Sequence, residues 1–395
     1  VSEILSTCKL GQVIIFVPPS VAEKWVREWK KFSETLMEHG SGIRCVESPI
    51  RNGEDFLKAL GDPPELRNHL VVVTHTALTS SLKDDFVKLA LLYYAIKGVH
   101  GASDLRQRIA KWSDGRRGII PNSKITSDVV AKLLEVSPAK WREAWLKLTG
   151  EQLKNDPVPA VLEEAVRHTD FSTLRALIEN LPVRSSPDIT NRLKRARDSL
   201  ADEMQTVWKT LLPSIDLNLP LLIVDEAHRL KNNGTQISKL FAPHSDDNPT
   251  SGAFHSAFRR MLFLTATPFE LGHAELINVL SRMGAARQPS HSPLTERLDA
   301  LQKVLTTAQA SALSFDKAWG YLDSSDITAF DAWEPGAVVA DSLRAVAREA
   351  WIHANLAVRS RHEMHKALRP WVIRHERPRR RDYWAGAAIT GNGAE

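Results

Sequence analysis

At about 150 residues per domain, a chain of 395 residues suggests two or three structural units. With 43% apolar and 25% charged residues it is an ordinary globular sequence, which excludes a fibre or a disordered tail. Lysine and arginine outnumber aspartate and glutamate by 52 to 47, and the resulting charge of +5 permits a polyanionic partner without demanding one.

The first run, QVIIFVPP (12–19), has the continuous apolar character of a strand buried on both faces, as parallel sheets covered by helices require. VAEKWVREWKKFSETLMEH (21–39) follows, and its Trp25, Trp29 and Phe32 recur at helical spacing. A less apolar run, GIRCVES (42–48), is a fifth strand candidate, and HLVVVTH (69–75) is a clear one. Between Thr79 and Asn218 the pattern turns to amphipathic segments, among them 127–136, 138–148 and 171–181, which predicts a helical block inserted between two strands of one sheet. LPLLIVDEAH (219–228) and RMLFLTATP (260–268) complete the set of buried strands. From about Pro293 the chain is again helix-like over 294–313 and 341–368, and it ends in a basic segment at 374–384. The patterning therefore predicts an α/β fold with a parallel sheet, a large helical insertion and a helical C-terminal extension.

Two cysteines, Cys8 and Cys45, form no CxxC pair, and His362 and His365 have no cysteine nearby, so neither a disulfide framework nor a structural zinc site is expected. The longest strongly apolar stretch, Leu89 to Ile96, is far short of the roughly 20 residues that cross a bilayer. Residues 1–17 lack the marks of a signal peptide, and with so few cysteines a cytoplasmic location is expected.

Each strand-like run ends on its C-terminal side in polar or proline-containing residues, and in open α/β sheets ligands bind at that edge. LLIVDEAHRLKN (221–232) presents Asp225 and Glu226 there. An aspartate in such a place can hold Mg²⁺, directly or through water, while the neighbouring carboxylate orients or deprotonates an attacking water, as phosphoryl transfer requires. MLFLTATPFELGHAELINVL brings Thr265, Ala266 and Thr267 to the end of the next strand, where two hydroxyls could relay the state of a nucleotide. Pro18, Pro19 and Ser20 precede a helix, and Thr74, His75 and Thr76 close another strand, so backbone N–H groups and hydroxyls are available to a nucleic-acid backbone.

In order and spacing, IIFVPPS, VVVTHTAL, LLIVDEAHRLKN and FLTATPFELGHAEL resemble motifs Ia, Ib, II and III of the superfamily-two helicase-like ATPases. EAHRLKN and the PxxVAEKWVREWKKF pattern are similar to the Swi/Snf-type branch rather than to RNA-directed DEAD-box enzymes. The resemblance covers about residues 3–80 and 216–290, with LRPWVIRHERP (368–378) as the close of the lobe. It implies a RecA-like P-loop NTPase lobe over 1–80 and 216–290, an insertion over 81–215, a helical extension over 291–376 and a basic linker over 377–395. It also implies a DNA-dependent ATPase that moves along double-stranded DNA with ATP and Mg²⁺. In that frame Asp225 serves Mg²⁺, Glu226 is the catalytic base, and His228 couples hydrolysis to Thr265, Ala266 and Thr267. Pro18, Ser20, Thr74, His75 and Thr76 would meet a DNA strand.

Phe269, Glu270, Leu271, Gly272 and His273 stand where the family's third motif usually continues into an Asn-containing turn, a variant similar to bacterial phage-defence translocases. No GxxxxGK[ST] and no Gly-Lys dipeptide occur. In the family that loop lies just ahead of VSEILSTCKLGQV, so the resemblance implies most of one lobe, cut at both ends and poor at hydrolysing ATP alone. Two other classes stay open. One is a non-catalytic module that docks a protein or DNA, with the insertion as its surface. The other is the translocating subunit of a restriction or phage-defence system, with an RNA helicase as a third possibility. Trp25, Trp29, Trp141 and Trp145 read as core rather than as stacking platforms. The cations Arg106, Arg108, Lys111, Arg116 and Arg117, and the cluster Arg377, Arg379, Arg380 and Arg381, read as solvated surface or as phosphate contacts. Cys8 and Cys45 receive no function.

Overall fold

The computed structural model describes residues 11–36, 43–63, 65–113, 118–120, 125–184, 187–211, 215, 217–232, 235–242, 252, 254–265, 272–287, 293–327, 330, 333–339 and 342–373. Residues up to 291 form one compact unit and those from 292 onward a second.

The first unit is built on β1 (Val13–Val17), a run of β-branched and aromatic residues in which every side chain is buried. α1 (Ala22–Leu36) follows it, and a short connection leads to α2 (Gly53–Gly61), whose Asn52 cap accepts the Asp55 N–H at 2.7 Å. β2 (Leu70–Thr74) lies parallel to β1 in the register Val13 to Leu70.

Next comes the helical insertion: α3 (Asp85–Ile96), α4 (Ala102–Lys111), α5 (Ser127–Leu133), α6 (Trp141–Thr149), α7 (Ser172–Glu179) and α8 (Ile189–Leu211). α3 starts at a cap, Asp84 accepting the Val87 N–H at 2.9 Å, and α6 stops at Gly150, which takes the left-handed conformation at φ 75°. Its apolar residues join the sheet's own core: Leu89, Leu92, Trp141 and Trp208 belong to the same buried cluster as Ile14 and Val72. The insertion is therefore packed into the first unit.

β3 (Leu219–Val224), also buried throughout, pairs parallel with β1, and β4 (Phe258–Phe263) pairs parallel with β3. Pro220 has no N–H to give, and the β1 ladder begins one residue later, at Leu221. The sheet order is β2-β1-β3-β4. α9 (His273–Ser281) ends the described part of this unit's helices.

Two strand expectations need correction. GIRCVES makes a single isolated parallel bridge, Cys45 to Leu70, and the next one, Ile50 to Val73, falls beyond Pro49, which has no N–H for a continuous ladder. β4 is not buried on both faces: Arg259, Arg260 and Leu262 are exposed, as befits the outer strand of the described sheet.

In the second unit, α10 (Leu294–Trp319) packs against α11 (Ala345–Leu368). Leu298, Leu301, Leu305 and Ala308 face Ala347, Ala350, Trp351 and Ala354, and the small alanines let the two backbones approach. A chain of ring contacts, Phe315 to Trp319, Trp319 to Phe330 and Phe330 to Trp351, spaced 5.1 to 5.6 Å, closes one end. Among the described residues no helix is long and apolar enough to cross a membrane.

Candidate active site

The order β2-β1-β3-β4 means that the chain steps outward from β1 to β2 and then returns past β1 to β3. Strand order reverses between β1 and β3, and the crevice outside the carboxyl ends of those two strands is where open α/β sheets take their ligands. Asp225 stands there. Its N–H bonds to Phe16 O at 2.9 Å and so extends the ladder one residue past the end of β3.

Both oxygens of the Asp225 carboxylate are held. Oδ1 accepts the N–H of Glu226 at 2.9 Å, and Oδ2 accepts the indole N–H of Trp25 on α1 at 2.7 Å. The residue is only partly buried, and each oxygen keeps a lone pair beyond those donors.

Glu226 takes the left-handed conformation, φ 52° and ψ 45°, which costs a residue with a Cβ about 1–2 kcal/mol. That turn breaks the strand into the 3₁₀ segment Ala227–Lys231 and brings His228 back toward the carboxylate. His228 Nδ1 lies 3.1 Å from Glu226 Oε2, with both side chains 35% exposed. The nitrogen is buried without a hydrogen-bond partner, so this is an electrostatic contact whose angle misses a hydrogen bond. The pair sets the Glu226 carboxylate directly against the His228 imidazole.

The end of β4 is tied to the same turn. Leu264 N–H bonds to Val224 O at 2.8 Å, and Ala227 N–H returns to Leu264 O at 2.9 Å. Thr265 therefore follows directly on the residue bonded to Ala227, while Ala266 and Thr267 lie outside the described residues. Lys231 reaches Glu275 on α9 at 3.1 Å, which anchors the far end of the turn.

The residues expected to face nucleic acid are divided by burial. Thr74 and His75 are 1% and 6% exposed and do not offer their side chains to a phosphate, which corrects the sequence expectation for both. They close a strand that is covered on both faces, so only the residue beyond it, Thr76, emerges. Ser20 is exposed at the start of α1, whereas Pro18 is buried and contributes its carbonyl to a turn with Val21 N–H at 3.1 Å.

His75 belongs to the support of the site instead. Its ring lies tilted against that of Phe16 with centroids 4.8 Å apart, and its Nε2 lies 3.2 Å from the Phe16 carbonyl. Burial pushes the imidazole down to about 4; the Phe16 carbonyl opposes the fall, Arg229 reinforces it, and Asp225 opposes it. The ring is neutral at pH 7, and a carbonyl partner requires the proton on Nε2.

Trp25 is the site residue that periodicity concealed. It was read as core, and it is half-buried against the core, yet its indole N–H serves Asp225. The available signal was its place in the first turns of the helix after a central strand, which overhang the ligand edge. Trp141 and Trp145, 0% and 3% exposed, are core as expected. In the insertion, Arg108 and Lys111 donate to the carbonyls of Glu179 and Val183 at 2.9 and 3.0 Å, so they tie α4 to the end of α7. Burial raises the Cys45 thiol to about 11, which leaves it inert. Cys8, Arg116, Arg117 and the arginine cluster from 377 to 381 lie outside the described residues. Among the described residues no group of three or more metal-ligating side chains converges.

Comparison of the chain with protein-family models, with curated proteins and with solved structures returns no match.

Proposed function

We propose that the chain is a RecA-like lobe of a Swi/Snf-type, DNA-dependent ATPase, in which Mg-ATP hydrolysis drives movement along double-stranded DNA. One observation carries the reading: Asp225 and Glu226 stand together at the point where strand order reverses in a parallel sheet, with the Asp225 carboxylate fixed by two donors. In this reading Asp225 holds Mg²⁺, which offsets charge on the phosphates. Glu226 orients or deprotonates the attacking water, and His228, against Glu226, passes the state of the site to the segment that begins at Thr265. The residues fit the metal half of such a site. The phosphate half is not supplied by this chain, which contains no Gly-Lys pair. Ser20 and Thr76, both exposed at the same sheet edge, are the contacts proposed for the DNA backbone.

A second reading is a module derived from such a lobe that binds DNA or protein without turnover, with the helices inserted in sequence between β2 and β3 as its surface. A titration of labelled duplex DNA and single-stranded RNA of equal length, at about 50 mM salt with Mg²⁺, tests both readings. Duplex preference that changes on adding ATP supports the motor lobe. Duplex binding indifferent to ATP supports a DNA-binding module, and binding of neither nucleic acid removes the motor lobe and leaves only a module that docks a protein. ATP turnover by this chain is expected at background. Turnover that Glu226→Gln abolishes would show a complete phosphate site and overturn that expectation.

A further inference from the structure

We infer that Trp25 is a positioning residue for the cation held by Asp225. The inference rests on the reading of Asp225 as the metal carboxylate. The two residues are 200 positions apart in sequence and meet at 2.7 Å across the crevice between β1 and β3. An indole N–H only donates, so it takes one lone pair of Oδ2 and does not compete for the metal. The Glu226 N–H takes one lone pair of Oδ1. One donor on each oxygen holds the carboxylate against rotation and leaves a further lone pair on each oxygen for a divalent cation. Partners of this kind orient a ligand without touching the metal, and their loss typically weakens metal binding ten- to a hundredfold.

Geometry on α1 supports a specific role over incidental burial. Among the described side chains of α1 only Ala22 is fully buried, while Trp25, Val26 and Trp29 are half-covered, so Trp25 does not sit in the deepest contact of the helix.

Mn²⁺ serves as the probe. The chain has 11 tryptophans, and in a ¹⁵N-labelled sample Trp25→Phe identifies the Trp25 indole resonance by its disappearance. Substoichiometric Mn²⁺ is expected to broaden that resonance before the others, and Asp225→Asn to prevent the broadening. Free Mn²⁺ measured by electron paramagnetic resonance should show affinity lost in Asp225→Asn and reduced about tenfold or more in Trp25→Phe. Wild-type affinity in a folded Trp25→Phe would overturn the inference and leave the metal reading standing. Mn²⁺ binding indifferent to Asp225→Asn would overturn both. Should Trp25→Phe not fold, the resonance that Asp225→Asn shifts identifies Trp25, and its broadening decides: a sharp line at Mn²⁺ levels that occupy Asp225 overturns the role.

Discussion

His75 and Asp225 are bound to the same acceptor: the carbonyl of Phe16 takes the Asp225 backbone N–H at 2.9 Å and faces His75 Nε2 at 3.2 Å. The end of β2 and the end of β3 are thus joined through one atom of the strand between them. Losing the His75 proton donor would loosen the residue that positions the acidic pair.

The pH dependence of that link has a definite sign. His75 is pushed from its ordinary 6.5 down to about 4 in the folded chain, so the unfolded chain takes up a proton first as pH falls. The stability contributed by the neutral ring is fully present above pH 6.5 and is lost between 6.5 and 4, by up to about 3 kcal/mol. Urea midpoints at pH 7.5 and pH 5 should differ more for the wild type than for His75→Gln, which keeps a donor and does not titrate. Equal differences would remove His75 as the source.

Glu226 offers a stability test of the opposite sign. Glu226→Gly relieves a left-handed backbone at φ 52° and should raise stability by about 1 kcal/mol, even though it deletes a side chain. Thermal unfolding compared with Glu226→Ala, which relieves nothing, isolates the backbone effect. Should both variants melt alike, the strain is absent.

The stem of the insertion depends on two acceptors. Glu54 on α2, 1% exposed, accepts the N–H groups of Lys83 and Asp84 at 2.6 and 3.2 Å, and Gln205 on α8 accepts that of Leu82. Glu54→Ala leaves two donors without their acceptor and should cost about 2–3 kcal/mol, and Gln205→Ala about 1 kcal/mol. Hydrogen exchange at residues 82–84 should quicken in both. Unchanged exchange in Glu54→Ala would show that the stem is held by packing alone.

The two buried tryptophans of α6 should respond differently to loss of the indole nitrogen. Trp141 Nε1 donates to Leu133 O at 2.7 Å and Val136 O at 3.1 Å, whereas Trp145 Nε1 is buried without a partner. Trp141→Phe should therefore destabilise the chain by about 2 kcal/mol, and Trp145→Phe by well under about 1 kcal/mol. Chemical denaturation of the two variants measures the contrast, and equal losses would contradict it.

Much of this architecture is legible in the sequence because the central strands are unbroken apolar runs. VIIFV, LVVVT and LPLLIV declare themselves without reference to their partners. β4 was misjudged for the same reason: MLF reads as buried, and nothing local reports that its outer neighbour is lacking among the described residues. The acidic pair was legible from its position at a strand end. Trp25 was not, because an amphipathic stripe gives core and site tryptophans the same spacing, and only the fold brings residue 225 to residue 25. The burial of Thr74 and His75 was hidden similarly, since exposure at a strand end depends on what the neighbouring strands cover.

The insertion imposes an order on folding. β1 finds β2 within about sixty residues, but its other partner, β3, arrives some 200 residues later, after the helices of the insertion. Closing so long a loop from a disordered chain is slow, while helices such as α3 and α6 can form early from local contacts. Once compact, the insertion shortens the span that β3 must cross. The crevice with Asp225 and Trp25 can exist only after that closure, so an intact Trp25–Asp225 contact is a direct report that β1 and β3 have paired.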